Sequence, residues 1–116
     1  MRDDKEMTPT NQDIVDAAKR AGMAEMGCPS GILYIYDGPE EGFHRFRLSL
    51  NDDTLPGSAI FIAAGLAVLP KPIEICKWRD GRLQFTWGGD DGDSVISDTL
   101  AFSVAHALVD AFPESP

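Results

Sequence analysis

Cysteine is scarce in this sequence: only Cys28 and Cys76 occur among 116 residues. Small secreted scaffolds depend on several disulfides, and structural zinc sites need cysteines or histidines in closely spaced pairs. Two cysteines this far apart in the chain fit neither pattern. We therefore expect two reduced thiols, with neither a disulfide framework nor a structural metal site.

Long hydrophobic runs are also lacking. The longest, at 59–69, has 11 residues, whereas a helix that spans a bilayer needs about 20. No apolar segment follows the first residues as it would in a signal peptide. We expect a soluble, cytoplasmic protein with no membrane contact, in which residues 1–9 form a flexible leader and residues 10–116 form a single domain.

Basic residues are absent from the last part of the chain. Lys and Arg total 10 against 19 Asp and Glu, the net charge is −9, and no Lys or Arg follows Arg82. The acidic residues of this region include Asp90, Asp91, Asp93 and Asp98. Direct nucleic-acid binding is not expected, because it requires clustered Lys and Arg. An acidic surface either maintains solubility or attracts a partner protein with a basic surface.

Catalytic motifs are missing as well. Cys28 with His44 or His106 would supply a thiol nucleophile and a base, but Cys28 follows a predicted helix C-terminus, where the helix dipole disfavours a thiolate. The loop at 88–93 resembles a calcium loop in composition, yet its spacing fits no established calcium pattern. We expect no catalytic residue, no cofactor and no metal, and interpret the loop as an acidic turn.

The hydrophobic pattern of the first half predicts one helix and two strands. Thr10 and Asp13 form a capping box for a helix over 11–26. Residues 32–36 and 43–50 are predicted strands. Residues 58–69 fit either a helix or a strand, and we favour a buried helix that Ser58 caps and that stops before Pro70.

The second half predicts a hairpin. Strands at 73–79 and 82–87 flank Asp80-Gly81, a pair favoured in two-residue turns. This turn places Arg79 opposite Arg82, Trp78 opposite Leu83, Lys77 opposite Gln84, and Cys76 opposite Phe85. The predicted core face then carries Cys76, Trp78, Leu83, Phe85 and Trp87.

A C-terminal helix is predicted over 94–112, with Asp93 as its cap. Ile96, Leu100, Val104, Leu108 and Phe112 form one apolar stripe, and Val95, Phe102 and Val109 form a second. A helix that is apolar on more than one side is usually buried on both. In so small a domain the second side could be covered by another protomer, so Val95, Phe102 and Val109 are candidate dimer-interface residues.

Five basic residues are predicted to project from the polar faces of the strands: Arg45, Arg47, Lys77, Arg79 and Arg82. They either form a solvated face or meet a negatively charged surface, such as the acidic region of another copy.

These observations together predict a two-layer α+β fold, with an antiparallel sheet of about four strands and helices on one face. The favoured function is a non-catalytic protein-binding module, an inhibitor or adaptor that recognises its partner by charge complementarity. A basic, nucleic-acid-handling protein is one such partner. The alternative is a structural or secretion-chaperone-like homodimer, and a small enzyme is the third class.

Overall fold

Three α-helices and six β-strands occupy the part of the chain that the computed structural model describes, residues 9–23, 25–37, 44–89 and 92–113. The helices are α1 (Asn11–Ala21), α2 (Pro56–Val68) and α3 (Leu100–Ala111). The strands are β1 (Met26–Gly27), β2 (Tyr34–Asp37), β3 (His44–Arg47), β4 (Ile73–Lys77), β5 (Leu83–Trp87) and β6 (Asp93–Ser97). A 3-10 turn at Pro29–Gly31 joins β1 to β2.

The strands form two antiparallel sheets of three strands each, in the orders β1–β2–β3 and β4–β5–β6. The α+β class predicted from the sequence is confirmed, but the single sheet of about four strands is wrong. The difference comes from β1, which begins at the last residue of the predicted first helix, and from β6, which occupies the start of the predicted C-terminal helix. Each adds a third strand to a predicted strand pair, and the pairs remain separate sheets.

α1 begins as the capping box predicts. The Thr10 hydroxyl accepts from the Asp13 backbone N–H at 3.0 Å, and the Asp13 carboxylate accepts from the Thr10 N–H at 3.1 Å. The helix ends at Gly22, whose φ of +79° is the left-handed conformation that commonly terminates helices. The predicted end at residue 26 is wrong, because Met26 already belongs to β1.

α2 confirms the helical interpretation of the ambiguous segment. Pro56 occupies the first turn, where its missing N–H costs no hydrogen bond. Ser58 is not the cap: it is fully buried, and its hydroxyl donates to Ser49 O at 3.0 Å and accepts from Ser49 N at 3.1 Å. Ser58 therefore ties the start of α2 to the chain that leaves β3.

The hairpin between β4 and β5 has a register one residue away from the prediction. Ile75 lies opposite Phe85 and Cys76 opposite Gln84. The turn contains three residues, Arg79–Gly81, because Trp78 N donates to Arg82 O at 2.8 Å and Gly81 adopts a φ of +95°. A shift of one residue moves every side chain of a strand to the other face. Cys76 and Trp78 are consequently exposed, on the face away from the core.

The predicted helix over 94–112 divides into a strand and a helix. Asp93 begins β6 and lies opposite Trp87, and Val95 lies opposite Phe85. The N-cap of α3 is Thr99, whose hydroxyl accepts from Phe102 N at 3.2 Å. Asp93 is therefore not a helix cap, and Val95 is not part of a helical stripe.

The core lies around α3, which packs against α1, α2, β5 and β6. Its buried members come from all three helices, from β2 and β5, and from the connecting segments: Ile14, Ala17, Leu33, Ile35, Leu48, Phe61, Leu69, Phe85, Trp87, Val104, Ala105, Ala107 and Leu108. α3 thus packs against other elements on several sides within one chain, while Phe102 and Val109 of the second predicted stripe are half-buried.

Candidate protein-interaction surface

The exposed edge of the β4–β6 sheet is the most conspicuous surface of the described chain. Phe85 and Trp87 of the central strand are buried, but four of the five residues of β4 are exposed. Ile75 lies on the same face as Phe85 and is still 47% exposed. The helical layer therefore covers β5 but stops short of β4.

The tip of the β4–β5 hairpin combines an aromatic ring with basic side chains. Trp78 is 42% exposed, and the Arg82 guanidinium carbon lies 5.5 Å from its ring centroid. The indole N–H donates to the Gln84 side-chain oxygen at 3.3 Å. Lys77 and Arg79 are also exposed here. Both contacts are made by the indole ring at the surface of the hairpin tip.

Asp80 organises the turn. Its carboxylate accepts from Arg82 N at 3.0 Å and from Arg82 Nε at 2.8 Å. The backbone hydrogen bond from Arg82, followed by smaller contributions from the Arg82 side chain, holds the pKa of Asp80 below its ordinary value of 3.8 despite an opposing effect of burial. The residues at 77–82 carry three basic groups and one acidic group in a chain whose net charge is −9.

The five basic residues predicted to share one face belong to two separate sheets. Arg45 and Arg47 lie on β3, and the Arg45 guanidinium carbon lies 4.4 Å from the centroid of the Tyr34 ring. Lys77, Arg79 and Arg82 belong to the β4–β5 hairpin. All five are exposed as predicted, but the single basic sheet face is wrong, as is the pairing of Arg79 with Arg82. The basic residues thus form two groups.

Two of the four acidic residues predicted to bind a partner belong to the described part of the chain. Asp90 and Asp91 lie outside the described residues, while Asp93 and Asp98 are both exposed. The acidic side chain that organises α3 is Asp53, whose two carboxylate oxygens accept from Leu100 N and Ala101 N, both at 2.8 Å. Sequence reasoning missed Asp53 because no local pattern links it to a helix so far along the chain.

The residues considered for thiol chemistry each have other neighbours. The Cys28 thiol lies 3.5 Å from the Gln12 side-chain oxygen, and the His44 and His106 rings lie beside Phe46 and Phe102. Both cysteines are free thiols. Across the described ranges, no three side chains of His, Cys, Asp or Glu come together as a metal site would require.

The candidate dimer residues of the C-terminal region do not form one stripe. Phe102 and Val109 lie on α3 and Val95 lies on β6, and all three are half-buried. Val95 and Val109 pack against the core of their own chain. Phe102 is half-buried on α3, and the dimer contact at these three residues stays a prediction.

A shallow groove beside α1 and β1 was not anticipated from the sequence. Its lining is Gln12, Val15, Asp16, Lys19, Met23, Glu25 and Met26. Both acidic and basic side chains line it, and the structure shows no convergent set of polar groups inside it.

None of the described helices is long and apolar enough to cross a membrane. Comparison of the chain with family models, with curated proteins and with solved structures finds no significant match.

Proposed function

We propose that this protein is a non-catalytic protein-binding module, an inhibitor or adaptor that recognises its partner by charge complementarity through the tip of the β4–β5 hairpin. The observation that carries the proposal is the exposed Trp78 ring with the Arg82 guanidinium carbon 5.5 Å from its centroid, at a hairpin tip where Lys77 and Arg79 are also exposed. The chemistry of the matching site is an apolar pocket for the indole within an acidic surface.

The composition of the hairpin tip supports this proposal. Trp and Arg are the residues most enriched where protein interfaces concentrate their binding energy. An exposed indole is unfavourable in an isolated chain and becomes favourable when a partner removes it from water. The hydrogen bond to Gln84 and the stacking of Arg82 restrain Trp78 before binding, which lowers the entropy lost on association.

The charge distribution supports an oriented encounter. The hairpin tip is locally basic, whereas the chain as a whole is acidic. Long-range attraction would turn the tip toward an acidic partner surface, and salt would weaken that attraction. The acidic C-terminal region would meet basic groups on the same or another partner.

The experiment is a capture of partners by tagged protein from lysate of the source cell, at low and high salt. Three proteins are compared: the unmodified chain, the hairpin variant Trp78→Ala/Arg79→Gln/Arg82→Gln, and the control Arg45→Gln/Arg47→Gln, which removes two exposed arginines from the other sheet. We expect one partner that the unmodified chain and the control retain and the hairpin variant loses, with weaker capture at high salt.

Retention of that partner by a folded hairpin variant would overturn the proposal. If, instead, Asp93→Asn/Asp98→Asn removes the partner, recognition belongs to the acidic region and the partner surface is basic. Circular dichroism and urea unfolding of each variant separate a lost contact from a lost fold.

A further inference from the structure

β4 is an edge strand whose outer side is open. Among the described strands it pairs only with β5, which places it at one end of the order β4–β5–β6. Four of its five residues are exposed. The outer side of an edge strand presents backbone N–H and C=O groups with which a further strand can pair. The edge formed by β4 is therefore a template for the addition of a strand.

The register identifies the backbone groups on this outer side. In an antiparallel pair, positions that exchange hydrogen bonds alternate with positions whose N–H and C=O groups point outward. Trp78 N donates to Arg82 O at 2.8 Å, and Gly88 N donates to Pro72 O at 3.1 Å. The positions of β4 that bond to β5 are therefore the even-numbered ones. Three residues of β4 direct their backbone groups away from β5: Ile73, Ile75 and Lys77.

These three residues also share one face of the sheet, the face of the buried Phe85 and Trp87. Ile75 is 47% exposed, so an apolar side chain on an added strand would remove it from water. Lys77 is exposed at the tip end of the strand. A carboxylate opposite Lys77 on the added strand would form a favourable cross-strand pair.

We propose that β4 holds the partner by strand addition: an extended, acidic segment of the partner protein pairs antiparallel with β4 and becomes the fourth strand of this sheet. The segment carries apolar side chains opposite Ile73 and Ile75 and a carboxylate opposite Lys77. Backbone pairing supplies the affinity, and the alternate side chains supply the selectivity. This inference rests on the proposed function, because it states how the partner recognised at the hairpin tip is held.

The charge around β4 favours an acidic partner segment over a second copy of the chain. Lys77 and Arg79 are exposed, and neither forms an ion pair within the described part of the chain. If two β4 strands paired antiparallel about Ile75, each Lys77 would lie opposite Ile73 of the other copy. Glu74, the acidic residue of β4, points to the other face. Self-pairing would therefore leave both lysines without a carboxylate, between two chains that each carry a charge of −9.

The opposite edge of the same sheet provides an internal control. β6 forms that edge, and the exposed Asp98 follows its last residue. By the same alternation, the Ile96 N–H points away from β5. An acidic segment is repelled at this edge and attracted at β4. The two edges should therefore respond differently to one acidic peptide.

The first test uses a capped peptide of sequence Thr-Asp-Thr-Val-Thr-Val-Thr as the probe and backbone amide hydrogen exchange, followed by NMR, as the measurement. In the free chain, Ile75 and Lys77 should exchange fast and Cys76 slowly, because only the Cys76 N–H bonds to β5. Saturating peptide should slow exchange at Ile75 and Lys77 by about tenfold or more and leave Ile96 unchanged. A control peptide, N-methylated at the valine that faces Ile75, keeps its charge and side chains but should not bind.

The second test exchanges the charges. Lys77→Glu should weaken binding of the acidic peptide by about fivefold or more, because an attractive cross-strand pair becomes a repulsive one. The same variant should bind more tightly to a peptide with Lys in place of Asp. Arg47→Glu makes the same change of charge on the other sheet and should leave both affinities unchanged. Circular dichroism of both variants verifies that they fold.

Exchange at Ile75 and Lys77 that the peptide leaves unchanged would overturn the proposal, as would equal affinity of the unmodified chain and Lys77→Glu for the acidic peptide. Protection of Ile75 and Lys77 that grows with the concentration of the chain alone would also overturn it and would assign the edge to a second copy.

These outcomes are distinguishable from those of the capture experiment. If the hairpin variant loses its partner while the peptide fails to bind, the proposed function stands and strand addition does not. If the peptide binds at β4 while the hairpin variant retains its partner, recognition by the hairpin tip fails and the edge remains a site for an acidic strand.

Discussion

At the level of single residues, Gly65 is a glycine that helix propensity disfavours but that close packing requires. Glycine inside a helix is about 1 kcal/mol less favourable than alanine. It is tolerated here because α2 and α3 approach each other closely at Val104. The Val104 side chain thereby packs directly against the backbone of α2 at Gly65.

Gly65→Ala should therefore destabilise the fold, by about 1–3 kcal/mol, as is usual when a close-packed contact receives an extra methyl group. Without the close approach, the same substitution would stabilise the helix. Urea unfolding shows whether the substitution raises or lowers the free energy of unfolding. The double variant Gly65→Ala/Val104→Ala makes room for the new methyl group and should show less than the sum of the two single effects.

Asp53 acts at the N-terminus of α3, where the first N–H groups lack partners within the helix. Its carboxylate accepts from both Leu100 and Ala101, and the helix dipole favours a negative charge at this position. Thr99 adds a third contact at the same end, since its hydroxyl donates to Leu50 O. The segment before α2 is thus joined to the start of α3.

Asp53→Ala should lower the free energy of unfolding by about 1–2 kcal/mol, the usual cost of losing a helix cap. Asp53→Asn keeps one acceptor oxygen and should cost less. Chemical denaturation of both variants, with Asp98→Asn as a control for lost negative charge, would test this. An equal loss from Asp98→Asn would attribute the effect to charge rather than to the two hydrogen bonds.

At the scale of elements, the β4–β5 hairpin depends on how many residues form its turn. Asp80-Gly81 can serve a two-residue turn or the end of a three-residue turn. Gly81 supplies the positive φ that the longer turn needs in its last position. The choice decides whether Trp78 faces the core or the solvent, and so whether the hairpin tip can act as a binding surface.

Gln84→Cys should form an intramolecular disulfide with the native Cys76, because these two residues lie directly opposite each other. Opposed residues in an antiparallel pair have Cα atoms within the range that a disulfide spans. Leu83→Cys, one residue away and on the other face, is the control. Mass spectrometry after mild oxidation in a Cys28→Ser background would detect the bond, and its formation with Leu83→Cys instead would contradict the register.

At the scale of the whole molecule, acidification has two opposing effects. Protonation of the many acidic residues reduces the self-repulsion of a chain with a charge of −9. Protonation of Asp52, in contrast, destabilises the folded state as the pH falls. Hydrogen bonds from the Thr54 hydroxyl, at 2.5 Å, and then from the Thr54 backbone lower its pKa below 3.8, against a smaller effect of burial.

A carboxylate with a lowered pKa in the folded state stabilises that state above its unfolded pKa, and the contribution is lost as the pH falls through the folded value. Thr54→Ala should therefore make unfolding less sensitive to pH between about 5 and about 3. Urea unfolding at the two pH values measures this difference. Asp52→Asn should show the same reduction, and Asp98→Asn controls for the general loss of charge; an unchanged pH response in Thr54→Ala would contradict the role of the hydrogen bonds.

Several local features of this protein are evident from the sequence. The capping box at Thr10, the hairpin around Asp80-Gly81 and the α+β class follow from patterns within a few residues of one another, whereas residues 58–69 fitted either a helix or a strand. Among the proposed site residues, the exposure of Arg45 and Arg47 also followed from strand alternation, whereas Lys77 is exposed because it lies on an uncovered edge strand, and Arg79 and Arg82 because they lie at the turn. Local propensity, capping and turn chemistry act over such short distances, so they can be interpreted without the fold.

The pairing of the strands and the exposure of side chains became evident only in the folded chain. Residues 93–97 lie at the start of the predicted C-terminal helix, but pairing with β5 makes them a strand. The exposure of Trp78 depends on one extra residue in a turn, and the N-terminus of α3 depends on Asp53, far away in the sequence. In α2, the fold buries Phe61 and leaves Ala59, Ala63 and Ala67 exposed on the opposite side, although the whole segment is apolar. Each of these outcomes depends on contacts between distant segments, which local patterns do not encode.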